Sequence, residues 1–102
     1  MTEHFNGLTE PEAERLAVLI EECGEVIQAA CKVLRHGYSS WNPDIPISPT
    51  NREDLAREVG HVYHATQRMI NACDLSGADV EVSRREKAVK IARYLHHQNA
   101  GG

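Results

Sequence analysis

Residues Thr9 to Gly37 read TEPEAERLAVLIEECGEVIQAACKVLRHG, and this stretch decides the fold class. Thr9 offers a helix cap, Glu12 follows three residues on, and Pro11 sits in the first turn, where its missing N–H is harmless. Leu16, Leu19, Ile20, Cys23, Val26, Ile27, Ala30 and Leu34 then recur in steps of three and four, the period of one helical face. His36 and Gly37 end the helix with a side chain able to carry positive charge and then a residue that tolerates positive φ.

The same pattern extends outward. Residues 37–50, GYSSWNPDIPISPT, contain three prolines and predict a loop. Thr50 and Asn51 offer a second cap, with Glu53 three residues after Thr50. Leu55, Val59, Val62, Thr66, Met69, Ile70 and Cys73 form a second stripe. Ser76 with Asp79 caps a third helix to about His97, with Val80, Ala88, Ile91, Ala92 and Leu95 facing inward. No segment alternates with period two for long enough to make a strand. The sequence therefore predicts one all-α domain over residues 1–102, a bundle of three to four helices with spans near 9–36, 51–73 and 77–97.

The 102 residues carry 41 % apolar and 25 % charged side chains, the composition of a soluble globular chain. A core this small favours completion by oligomerisation. A net charge of −4 argues against nucleic-acid binding through a basic surface. It leaves a polyanionic substrate open, because bound divalent cations reverse the local charge. No leader-like segment or run of 18 apolar residues is present, so no membrane partner is expected. Cys23, Cys31 and Cys73 are odd in number, lack CxxC spacing and lie on or beside apolar stripes, which suits a reducing cytoplasm.

The two long helices match at an offset of 36 residues: Leu19, Glu22, Gly24, Val26 and Ala29 reappear as Leu55, Glu58, Gly60, Val62 and Ala65. Lys32 corresponds to Arg68. Thirty-six residues make about ten turns, so matched residues take the same angular positions. Glu22 and Glu25 share a line with Val18, Ala29 and Lys32; Glu58 and His61 share one with Asp54, Ala65 and Arg68. Facing helices of this kind converge four ligating side chains, as in carboxylate bundles. Gly24 and Gly60 each cost about 1 kcal/mol in a helix interior relative to alanine. The expected return is close backbone approach. A glutamate-rich helix is often merely a solvated face, but the acidic flank repeated on the second helix favours metal binding.

LIEECGEV (19–26) with AREVGHV (56–62) resembles the MazG-like all-α nucleoside triphosphate pyrophosphohydrolases, whose signature is EExxE on one helix and ExxD on the next. The likeness runs from about Leu8 to His97. With its LRHG turn and Pro-rich loop, the short form looks most like those of phages and some bacteria, which implies a cytoplasmic setting, the host's if phage-encoded. The resemblance implies hydrolysis of (d)NTP to (d)NMP and pyrophosphate by dimers or tetramers with two or more Mg²⁺ or Mn²⁺ ions. Some phage enzymes of this kind take dGTP or GTP, the leading substrate expectation. Glu21, Glu22 and Glu25 then match EExxE, with Glu22 and Glu25 as ligands, and Glu58 is the first acid of ExxD. His61 departs from the family aspartate, and imidazole suits Mn²⁺ better than Mg²⁺.

Glu21 or Glu25 is the candidate base for the attacking water. Lys32, Arg68, Lys87 and Lys90 are candidates for holding outer phosphates, with surface charge as the plain alternative. Trp41 and Asn42 are candidates for the base, because a tryptophan in a polar loop either stacks on a ring or packs beneath the loop. Two other functions fit the pattern. Glu58-x-x-His61 has the spacing of di-iron or di-manganese carboxylate proteins, and the change at His61 also suits a nucleotide-binding bundle with impaired catalysis.

Overall fold

A computed structural model describes residues 5–45 and 47–98, and among these it contains three helices and no strand: α1 (Glu10–His36), α2 (Asn51–Asn71) and α3 (Gly77–Ile91). The all-α expectation holds for the described residues. The N-terminal four residues, Pro46 and residues 99–102, which the single-domain reading takes in, lie outside them.

The helix starts follow the capping chemistry of the sequence. Thr9 forms a full capping box: its hydroxyl accepts from the Glu12 N–H at 3.3 Å, and its own N–H donates to Glu12 Oε1 at 2.9 Å. Thr50 repeats the device with Glu53, whose N–H donates to the Thr50 hydroxyl at 3.2 Å. The Thr50 N–H and hydroxyl both donate to Glu53 Oε1, at 3.0 and 2.9 Å. Those two donors hold the Glu53 carboxyl below its ordinary value of 4.5. Gly37, at φ 84°, closes α1 by donating its N–H to the Val33 carbonyl at 2.7 Å. At the third start, Ser76 accepts from the Asp79 N–H at 3.2 Å.

Two compact units divide the chain, Met1–Met69 and Ile70–Gly102. The first holds α1 and most of α2 as an antiparallel hairpin. Residues near Lys32 face Asn51 and Asp54, and residues near Val18 face Ala65 and Arg68. Ala29 and Ala65 are buried along this seam, where small side chains let two helix backbones close. Met69, 2 % exposed, is the most buried large side chain of the unit. The loop after α1 is strapped to the start of α2: Asn51 N–H donates to the Ser40 carbonyl, Arg52 N–H to the Tyr38 carbonyl, and Asn51 Nδ2 to the Gly37 carbonyl. The Arg52 guanidinium also lies 5.0 Å from the Tyr38 ring centre, a cation–π distance.

The apolar stripe of α1 is divided by this packing. Leu16, Leu19, Val26 and Ala30 are half-buried, whereas Ile20, Cys23, Ile27 and Leu34 are exposed. A single partner helix covers only one stripe, and α2 covers the line of Ala29 and Glu22. Nor do Gly24 and Gly60 mark close approaches among the described residues: a Cβ at either would meet none of them within 4 Å.

In the second unit α3 is shorter than the pattern suggests. It ends at Ile91, after which Arg93 and Tyr94 N–H groups bond the carbonyls three residues back, tightening the ladder into a turn. Val80, Ala88, Ala92 and Leu95, expected to face inward, are exposed and Ile91 is half-buried. α2 likewise stops at Asn71, two residues short of Cys73, which takes φ 65°. No helix among the described residues is long and apolar enough to cross a membrane.

Candidate metal centre

The hairpin seam carries one buried acid, Glu58, at 8 % exposure. It faces Glu22 of α1, and His61 lies one turn further along α2 on the same line. One ligand atom from each of Glu22, Glu58 and His61 lies within 4.8 Å of the other two. His61 Nδ1 is 3.2 Å from Glu22 Oε2 and 3.6 Å from Glu58 Oε2.

These spacings suit a small divalent ion. Oxygen ligands at about 2.1 Å lie about 3.0 Å apart when adjacent and about 4.2 Å apart when opposite in an octahedron. The electrostatics point the same way. Glu22 Oε2 is buried and makes no hydrogen bond, despite its nearness to His61. A buried carboxylate oxygen without a donor carries a desolvation cost that a cation relieves. Two carboxylates and one imidazole form a donor set that accepts Mn²⁺ readily and Mg²⁺ less so.

Glu58 is held from its other side by its chain neighbour. Arg57 Nε and Nη2 donate to Glu58 Oε1 at 3.3 and 3.2 Å, and Nη1 donates to Asp54 Oδ1 at 3.0 Å. Those bonds, first to Asp54 and then to Glu58, hold the guanidinium above the ordinary arginine range. One Glu58 oxygen thus faces the guanidinium and the other faces Glu22 and His61.

Two recesses lie along the α1–α2 hairpin, and Glu58 is the cluster residue that lines one of them. That recess, about 80 Å³, is lined by Glu25, Lys32, Asn51, Asp54, Arg57 and Glu58 among others. Lys32, Asn51 and Asp54 also line the next recess, about 340 Å³, with Arg35, His36, Ser40, Trp41 and Asn42. The strapped loop is what sets Trp41 and Asn42 beside the basic end of α1. Trp41 is 58 % exposed, so its ring stands at the rim and is not packed beneath the loop.

Of the expected ligands, Glu22, Glu58 and His61 come together; Glu25 lies in the adjoining recess with Glu58. Glu21 is exposed and belongs to neither recess nor cluster. Of the expected substrate residues, Lys32, Trp41 and Asn42 line the larger recess together. Arg68 lies toward the other end of the hairpin, in a recess with Glu14, Arg15, Val18, His64 and Ala65. Lys87 and Lys90 are exposed on α3, in the second unit. Sequence reasoning missed Arg57 and gave Asp54 no role. Asp54 had a signal, since it stands on the ligand line one turn before Glu58. Arg57 had none: a residue adjacent to a ligand points about 100° away on an ideal helix, and only its long side chain brings it back.

No family model matches the chain, and neither a curated protein nor a solved structure matches it.

Proposed function

We propose that the chain is a Mn²⁺- or Mg²⁺-dependent nucleoside triphosphate pyrophosphohydrolase of the MazG-like kind, converting (d)NTP and water to (d)NMP and pyrophosphate. The observation that carries this reading is the convergence of Glu22, Glu58 and His61, with Glu58 also lining a recess that shares Lys32 with the recess of Trp41 and Asn42. A divalent ion bound there would offset charge on the phosphates and lower the pKa of a coordinated water.

The chain's own residues have defined parts in this reading. Glu22 and Glu58 supply carboxylate oxygens and His61 supplies Nδ1. Glu25, outside the triad but in the adjoining recess, is better placed than Glu21 to accept a proton from the attacking water. Lys32 holds a phosphate oxygen, and Trp41 with Asn42 receives the nucleoside, whose ring stacks on the exposed indole. dGTP or GTP is the leading substrate in this proposal.

Assembly into a dimer or tetramer belongs to the same proposal. Ile20, Ile27 and Leu34 recur every seven residues on α1 and are 71, 63 and 87 % exposed. An apolar seven-residue repeat is the seam by which helices pair with copies of themselves.

The test is a panel of NTPs and dNTPs incubated with Mn²⁺ or Mg²⁺, with products separated by anion exchange. Monophosphate and pyrophosphate in equal amounts support the proposal. Absence of hydrolysis with either ion refutes it, and nucleotide binding without turnover would favour the impaired-bundle reading. Iron in aerobically purified protein, with a visible absorption band, would favour the di-iron reading.

A further inference from the structure

We infer that Arg57 occupies the place of a second cation, so that each chain binds one divalent ion and uses this guanidinium as its fixed partner. The inference rests on the metal reading of Glu22, Glu58 and His61. A carboxylate that bridges two metal ions gives one oxygen to each, with the ions about 3.5–4 Å apart. Glu58 divides its oxygens in that manner, but only one side is left for a metal. Oε2 faces His61 Nδ1 at 3.6 Å, and Oε1 takes two N–H groups of Arg57 at 3.3 and 3.2 Å.

The flanking acid supports the same assignment. Asp54 stands one turn before Glu58 and gives Oδ1 to Arg57 Nη1 at 3.0 Å. Without the guanidinium, Asp54 and Glu58 would present two carboxylates to a recess of about 80 Å³ that Glu25 also lines. With it, the two carboxylates share one fixed positive charge, which does not dissociate near neutral pH and halves the negative charge a second cation would meet. Arg57 also fixes the rotation of the Glu58 carboxylate, which keeps Oε2 turned toward Glu22 and His61. Its side chain is 53 % exposed, so its replacement removes a surface group and leaves the seam packing of Ala29, Ala65 and Met69 intact.

The experiment counts Mn²⁺ bound per chain by titration calorimetry, with free Mn²⁺ followed by its paramagnetic resonance signal. Wild-type protein should bind one ion per chain. Arg57→Gln should bind two, and Arg57→Gln with Asp54→Asn should return to one; circular dichroism checks that all three keep wild-type helicity. Two ions bound by the wild-type chain, or one ion bound by Arg57→Gln, would overturn the inference. No Mn²⁺ bound by any of the three would instead refute the metal reading and remove the inference with it. Glu58→Gln separates the two cases, since loss of all binding in that variant locates the counted ion at the triad.

Discussion

Replacement of Glu58 by glutamine tests the seam most directly, because the side chain is nearly isosteric and only its charge is lost. In metal-free protein two effects oppose each other. Glu22 and Glu58 have ligand atoms within 4.8 Å, a repulsion of at least about 1 kcal/mol in water and about 3 kcal/mol at an effective dielectric of 20. Against its relief stand the hydrogen bonds from Arg57, which solvent screening weakens because Arg57 is half exposed. The metal-free midpoint of thermal unfolding should therefore move by only a few degrees. Saturating Mn²⁺ should separate the two proteins. At about 100 times its dissociation constant an ion that binds only the folded state adds about 2.7 kcal/mol. For a chain of this size that raises Tm by about 11–22 °C, taking about 4–8 °C per kcal/mol. Wild-type protein should show this rise in a circular dichroism melt with MnCl₂, reversed by chelator, and Glu58→Gln should lose most of it. An equal rise in both proteins, or none in the wild type, would refute the metal assignment.

Four further outcomes are expected. Gly60→Ala should stabilise the protein by about 1 kcal/mol in a denaturant titration, because its Cβ meets none of the described residues; destabilisation would mean that another copy approaches there. Met69→Ala should cost about 2–5 kcal/mol, the range for emptying a buried methionine site, read as a fall in the denaturant midpoint. Ile27→Glu should shift the light-scattering mass toward that of one chain, since its side chain is 63 % exposed on the seven-residue repeat; an unchanged mass would exclude that face from assembly. The Thr50–Glu53 cap should weaken in acid. Glu53 titrates below its ordinary 4.5 in the folded chain, so its contribution is complete above about that pH and is lost as pH falls through the lowered folded value. Thr50→Ala should flatten that part of the acid-side stability curve, measured by amide exchange at the start of α2.

Much of this architecture lies in local sequence. Thr9 with Glu12, Thr50 with Glu53, Ser76 with Asp79 and the glycine after His36 define helix ends through bonds that span only three or four residues, so they are legible without a partner. Helical period also determined that Glu22 shares a line with Ala29 and Lys32, and Glu58 with His61, since angle on a helix depends on residue number alone. Which line would be covered was a tertiary matter. α1 has two stripes able to bury, and the wider apolar one, with Ile20, Ile27 and Leu34, lost to the alanine seam beside the acids. The end of α3 was likewise illegible, because an apolar period continues through a turn that only the backbone bonds of Arg93 and Tyr94 reveal. The sequence by itself determined the three capped helices and the candidate ligands. Only tertiary structure decided that Glu22 meets Glu58 and His61 and that a strapped loop brings Trp41 beside Lys32, because each depends on distances between segments that local periodicity does not encode.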